Sequence, residues 1–183
     1  MNYPVRNFIV SLLQANNETE EVAALNDLEK LVENYPKAFL ENCLNNIGTH
    51  DTARIKTVLG GGEQLVALAF GLLFSVPGVP CIYYGDEAGL EGDKDPDNRR
   101  YFPWGKESDF LEKEVKELAH WRRENRALVD GKVGYVKITY GINALVRYNQ
   151  RELVIYCYNK TDQDMILDAG EFQTYCLPEM IGK

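Results

Sequence analysis

An adjacent histidine and aspartate, His50-Asp51, stand in the run Thr49-His50-Asp51-Thr52-Ala53-Arg54, and an acidic pair, Asp86-Glu87, closes Cys81-Ile82-Tyr83-Tyr84-Gly85. An imidazole beside a carboxylate can hold the hydroxyls of a sugar, bind a metal or exchange protons with a reacting group. A lone aspartate just past a strand can equally cap the next helix through its backbone amides, so the pair alone leaves these readings open. Arg54, three positions on, and the Asp95 and Arg99 of Asp95-Pro96-Asp97-Asn98-Arg99-Arg100 add charge that suits either sugar contacts or ion pairs. Trp104 could stack on a sugar face, whereas Trp121 shares helical spacing with Leu118 and reads as core. His120 reads as a solvated helix residue. Tyr83, Tyr84 and Glu87 read as packing residues. Cys43, Cys81, Cys157 and Cys176 have no CxxC or Cys/His spacing and read as buried reduced thiols, and no metal site can be assembled from what is present.

Positioning these groups requires elements that the patterning supplies. Met1 to Val10 reads as an extended entry, because Pro4 bars a continuous helix from Met1. Val22, Leu25, Leu28, Leu31 and Val32 recur at helical spacing from Glu18 to Tyr35, ahead of Pro36. Phe39 to Ile47 is a compact apolar run that reads as a buried strand leading into Gly48-Thr49-His50-Asp51. Glu63 to Phe74 suits a helix buried against a sheet, and Cys81-Ile82-Tyr83-Tyr84 reads as a second strand after the turn at Pro77 to Pro80. Gly89 to Trp104 has no periodicity and reads as a long loop of the kind that carries function. Phe110 to Arg126 returns to helical spacing. After Gly131, Val133 to Ile138, Ala144 to Tyr148, Leu153 to Tyr158 and Met165 to Leu167 alternate between turn residues, the pattern of antiparallel β structure. The expected order is α/β followed by all-β, divided at 1–130 and 131–183. His50-Asp51 and Asp86-Glu87 then fall at the C-terminal ends of parallel strands, where barrel enzymes carry their sites.

The balance of 20 basic and 28 acidic residues, a net charge of −8, argues against a nucleic-acid partner, and no apolar run is long enough to span a bilayer. The start lacks the basic segment and apolar run of a secretory signal, which leans toward the cytoplasm.

The ordered motifs carry a specific resemblance. Asn45-Asn46-Ile47-Gly48-Thr49-His50-Asp51-Thr52-Ala53-Arg54, Pro77 to Glu87 and Asp95 to Arg100 with Trp104 are similar to the seventh-strand and later segments of the α-amylase family, glycoside hydrolase family 13, particularly its neopullulanase and cyclomaltodextrinase branch. Even Met1-Asn2-Tyr3-Pro4 resembles that branch's sixth strand. The resemblance implies the C-terminal portion of a (β/α)8 barrel, about strands six to eight, followed by a small truncated antiparallel module. It implies that Asp51 is the third catalytic carboxylate, stabilising an oxocarbenium-like transition state, and that His50 donates to the same sugar. Arg54 would then lie at the mouth of the site, touching sugar hydroxyls or holding a carboxylate, with Asp95 and Arg99 near the donor-side sugars.

Retaining glycoside hydrolysis needs a nucleophilic carboxylate and an acid about 5 Å apart. The family carries the first in Gly-x-Arg-x-Asp, and that motif occurs nowhere in this sequence. The expectation is therefore a piece of a retaining α-glucan hydrolase, inactive alone, with an α-glucan oligosaccharide as the parent's ligand. Calcium, which some relatives bind, would sit outside this chain, and no cofactor is expected within it. Unpartnered strands and an exposed Glu63 to Phe74 face leave room for self-association. The rival reading is a non-catalytic carbohydrate-binding or regulatory protein using the cleft of His50, Asp51 and Arg54.

Overall fold

The computed structural model describes residues 1–167. Helices α1 (Tyr3–Gln14), α2 (Glu18–Asn34) and α3 (Lys37–Asn42) precede strand β1 (Leu44–Asn45). Helices α4 (Ile55–Val58) and α5 (Glu63–Ser75) lead to strand β2 (Val79–Pro80), and a long loop then reaches α6 (Asp109–Glu124) and α7 (Ala127–Asp130). Strands β3 (Lys132–Thr139), β4 (Ile142–Tyr148) and β5 (Leu153–Asn159) follow.

Three helices form where the sequence places them, α2 and α6 from periodicity and α5 from its apolar run. Asn17 caps α2 by accepting from the Glu20 amide at 3.0 Å, with Glu18, Glu20 and Glu21 in its first turn, and the helix stops short of Pro36. Ser108 caps α6 in the same way, accepting from Leu111 at 3.2 Å. Helix α5 is buried over most of its length, against α1, α6 and the sheet strands β4 and β5. Gly71 permits that packing: a Cβ there would fall 1.8 Å from the Tyr156 hydroxyl of β5. The expected open face on this helix is thus covered. The exposed apolar side chains lie elsewhere, among them Leu44 and Val79 on paired strand positions and Phe39 on α3.

Three expectations fail, one for a local reason and two through strand pairing. Met1 to Val10 is mostly helix, because proline within the first turn forfeits only an amide that has no intrahelical acceptor. Val5, Phe8, Ile9, Leu12 and Leu13 fill its buried face. Asn2 alone keeps the strand-like role, its amide donating to Leu44 O at 3.0 Å. Phe39 to Ile47 is not one buried strand: α3 takes Phe39, and only Leu44 and Asn45 find a partner. Strand β2 likewise pairs at Val79 and Pro80 rather than through Cys81 to Tyr84, although the Cys81 amide still donates to Asn45 O at 2.7 Å. The β1 and β2 pairing is parallel, Leu44 opposite Val79 and Asn45 opposite Pro80.

The second sheet runs β3-β4-β5, antiparallel throughout, with Val136 opposite Ala144 and Ala144 opposite Cys157. Strand β4 is central and buried from Ile142 to Arg147. Arg147 is buried and has no carboxylate partner among the described residues, donating instead to the carbonyls of Ser75, Leu128, Gly131 and Lys132 at 2.8 to 3.3 Å. It ties the sheet to the end of α5 and to α7, and burial pushes its pKa down to about 10. Met165 to Leu167 form no strand, with Ile166 exposed. The run from Tyr175 to Lys183 and Cys176 lie outside the described residues. Cys43, Cys81 and Cys157 are free thiols among the described residues, but Cys81 and Cys157 are exposed and Cys43 half-buried, so the expected burial fails: Cys43 and Cys81 flank the short strands β1 and β2, and Cys157 lies within β5. No described helix is long and apolar enough to cross a membrane.

Candidate functional site

The chain leaves β1 at Asn45 and turns through Gly48-Thr49-His50-Asp51-Thr52 before α4. Thr49 organises that turn: its carbonyl accepts from the Thr52 amide at 3.3 Å and its hydroxyl from the Asp51 amide at 3.1 Å. His50 Nε2 stands 3.1 Å from Asp51 Oδ1, and both side chains are about half exposed, at 51% and 56%. Tyr3, at the start of α1, donates from its hydroxyl to Asp51 Oδ2 at 3.4 Å. Asp51 therefore caps no helix here; the N-cap of α4 is Arg54, with no side-chain cap bond. The pair is an open acceptor and donor at the C-terminal end of a parallel strand, the position from which barrel loops work on a ligand.

Arg54 lies elsewhere than at the mouth of a cleft. It is wholly buried, so the expectation of a sugar-contacting guanidinium is corrected. Of the two roles that the resemblance allows, the observed one is to hold a carboxylate: Nη1 meets Asp86 Oδ1 at 3.2 Å. The same nitrogen donates to Tyr84 O, and Nε donates to Asn98 O at 2.7 Å. The guanidinium lies over the Tyr83 and Tyr84 rings, 4.2 and 4.7 Å from their centroids. Burial makes this cluster electrostatically costly. Desolvation raises the Asp86 carboxyl to about 7 in spite of the neighbouring Arg54 charge. Burial likewise raises the Tyr83 phenol, and Tyr84 adds to that while Arg54 opposes it.

Asp95 and Arg99 sit on the loop after β2, exposed, and bind each other at 2.9 Å. They form the loop-internal ion pair that was the alternative to sugar contact, across a cis Asp95-Pro96 bond. Trp104 is almost fully exposed and tilts against Phe102, with ring centroids 4.5 Å apart. Trp121 packs on Ala127, Leu128 and Val154. His120 is exposed, 3.0 Å from Glu124. Among the described residues no group of three or more His, Cys, Asp or Glu could hold a metal.

Three residues to which the sequence reading gave no role join the site. Asn98, on the loop after β2, donates both amide hydrogens to the His50 and Thr52 carbonyls, each at 2.8 Å. Arg6 donates to Ile47 O at 2.9 Å, and burial lowers its pKa while Tyr3 and Asp86 hold it up. Tyr3 reaches Asp51 itself. Tyr3 and Asn98 fall inside segments that carry the resemblance, but nothing in the sequence gives either of them, or Arg6, a contact with the His50-Asp51 turn.

The family model described as the α-amylase catalytic domain matches residues 1–155. The chain is 33% identical over 167 residues to a cyclomaltodextrinase of Geobacillus thermopakistaniensis, covering 89% of this chain and 28% of that protein. It is 35% identical over 155 residues to an amylopullulanase of Thermoanaerobacter thermohydrosulfuricus, covering 72% of this chain and 10% of the relative. A cyclic α-maltosyl-(1→6)-maltose hydrolase from Arthrobacter globiformis, solved in complex with cyclic α-maltosyl-(1→6)-maltose, superposes with a TM-score of 0.81 at 30% identity. That superposition covers 87% of this chain and 36% of the other. The chain thus spans between a tenth and about a third of the length of these proteins.

Proposed function

The chain belongs to the α-amylase family of glycoside hydrolases, and on that footing we propose that it forms the floor of an α-glucan site, with Asp51 as the transition-state-stabilising carboxylate and His50 as its sugar-binding neighbour. The observation that carries the reading is the half-exposed His50 and Asp51 pair, 3.1 Å apart, on the turn that leaves a parallel strand. Each can take a sugar hydroxyl without first losing a buried partner. Such contacts accelerate cleavage to the extent that they tighten as positive charge develops on the ring.

The reading places residues 1–130 as the C-terminal part of a (β/α)8 catalytic barrel, about strands six to eight, and 131–183 as the start of the β domain that follows. Asn2 against β1 and the parallel pairing of β1 with β2 support that order. The substrate class is an α-glucan oligosaccharide, as the relatives' names suggest. Asp95 and Arg99, exposed on the neighbouring loop, are placed beside the donor-side sugars, where opening of their ion pair would free both. The nucleophile and acid belong to segments that this sequence lacks, since no Gly-x-Arg-x-Asp occurs in it. The chain is an incomplete α-glucan hydrolase that binds without cutting.

Titration of the labelled chain with maltotetraose tests this. The amides of His50 and Asp51 are expected to shift, Asp51→Ala to abolish the response, and reducing-sugar assays to show no turnover. Turnover that depends on Asp51 would defeat the claim of inactivity, and a silent His50 and Asp51 would defeat the site.

A further inference from the structure

Asp51 and His50 are exposed, so packing does not fix where they point. Their backbone is fixed instead, and from the outside. The Asn98 side chain, wholly buried, donates one amide hydrogen to His50 O and the other to Thr52 O, each at 2.8 Å. These two carbonyls bracket Asp51. One amide group therefore holds the peptide plane that enters Asp51 and the plane that leaves Thr52. Asn98 is itself held, because its own carbonyl accepts from Arg54 Nε at 2.7 Å, and Arg54 is anchored by Asp86 and by its amide's bond to Gly92 O at 2.9 Å.

We infer that Asn98 is a positioning residue for the sugar-binding turn, through which the loop after β2 sets the orientation of His50 and Asp51; this rests on the reading of Asp51 as a sugar-contacting carboxylate. The chemistry required at this position is narrow. The residue must present two donors from one planar group to two carbonyls and accept none back. Aspartate has the shape without the donors, serine has one donor, and leucine fills the volume with none. Both bonds are part-buried, so losing the amide removes the fixed partner of the two carbonyls and leaves water only partial access in its place.

The 183-residue chain itself suffices for the test, read by amide hydrogen exchange and by maltotetraose titration. In Asn98→Leu, exchange at Asp51 and Thr52 should accelerate by about tenfold or more, the factor that one net hydrogen bond represents. Amides of α2 and α5 should stay at wild-type rates, and the maltotetraose response at His50 and Asp51 should weaken. Asn98→Ser, which keeps one donor, should fall between, and it serves as the reporter if the leucine variant fails to fold. Wild-type exchange at Asp51 and Thr52 in the variants overturns the proposal. Equal acceleration in α5 overturns it too, because Asn98 would then support the fold at large. A wild-type chain that ignores maltotetraose defeats the functional reading, while the exchange rates still decide the role of Asn98.

Discussion

The Arg54 guanidinium meets the Asp86 carboxylate at 3.2 Å where neither side chain reaches solvent, joining the loop after β1 to the loop after β2. Two ions removed from water recover their desolvation only when the remaining donors and acceptors are also used. Here they are used in part: Arg54 adds the Tyr84 and Asn98 carbonyls, while Asp86 Oδ2 has no hydrogen-bond partner among the described residues. Arg54 Nη2 is likewise without a partner among the described residues, and burial raises the folded Asp86 carboxyl to about 7 from its ordinary 3.8.

That shift makes stability depend on pH in a stated direction. Between pH 4 and 7 the folded chain holds the Asp86 proton and the unfolded chain has lost it. Asp86 therefore contributes stability that is complete below its unfolded value and disappears as pH rises through about 7. Urea unfolding of the wild type against Asp86→Asn, at steps from pH 5 to 8, should show the wild type losing stability relative to the variant as pH rises. A difference that stays constant across the range would place the titration elsewhere.

Gly48 offers a second handle on the same carboxylate. A Cβ there would stand 1.9 Å from Asp86 Oδ2, a separation no real pair of atoms adopts, so Gly48→Ala must push Asp86 out of its place beside Arg54. The expected loss is about 1 to 3 kcal/mol, the usual result of overpacking. In an Asp86→Ala background the obstructing oxygen is gone and the same substitution should cost little. A double-mutant cycle by chemical denaturation reads the coupling, and additive losses would mean that Gly48 is constrained by something other than Asp86.

Helices α2 and α6 were legible because burial of one face dictates spacing, with Asn17 and Ser108 at their starts, and α5 was legible as an apolar run of helical length. Helix α1 was legible too, in Val5, Phe8, Ile9, Leu12 and Leu13, but Pro4 masked it. The short parallel strands were not. Leu44-Asn45 and Val79-Pro80 are strands only because each meets the other, a fact no local pattern contains. At the candidate site, motif order singled out His50 and Asp51, which lie side by side, whereas the burial of Arg54 and the two-pronged contact of Asn98 arise from the packing of one loop on another. A charged residue near a catalytic motif reads as a ligand contact until its surroundings are known. Here the surroundings are two tyrosine rings and a buried carboxylate.

Arg147 joins the β3-β4-β5 sheet to the rest through the backbone carbonyls of Ser75, Leu128 and Gly131, and Leu145 and Tyr158 of that sheet belong to the same core as Phe70 and Leu73 of α5. Removing the guanidinium leaves these three carbonyls buried without that donor, at about 1 to 3 kcal/mol each before relaxation. Arg147→Met should therefore lower the urea midpoint for Trp121 fluorescence, which reports α6, and for far-ultraviolet circular dichroism together. A sheet that melts separately, with Trp121 unmoved, would show two independently stable units.

Asp51 is expected to behave in the opposite way to Asp86, and the contrast separates a group that binds from one that builds. Its side chain is 56% exposed; its polar neighbours are the exposed Tyr3 hydroxyl at 3.4 Å and His50 at 3.1 Å. Nothing buried depends on it, so Asp51→Ala should leave the unfolding free energy within about 0.5 kcal/mol of wild type, as surface substitutions usually do. Maltotetraose affinity should fall by about tenfold or more, because a carboxylate that accepts from sugar hydroxyls supplies charge-assisted bonds for which alanine has no substitute. His50→Ala should act in the same direction and, since the two side chains meet, less than additively with Asp51→Ala. Isothermal titration of the three variants alongside urea unfolding makes the distinction. An Asp51→Ala chain that loses stability but keeps its affinity would return Asp51 to a structural role.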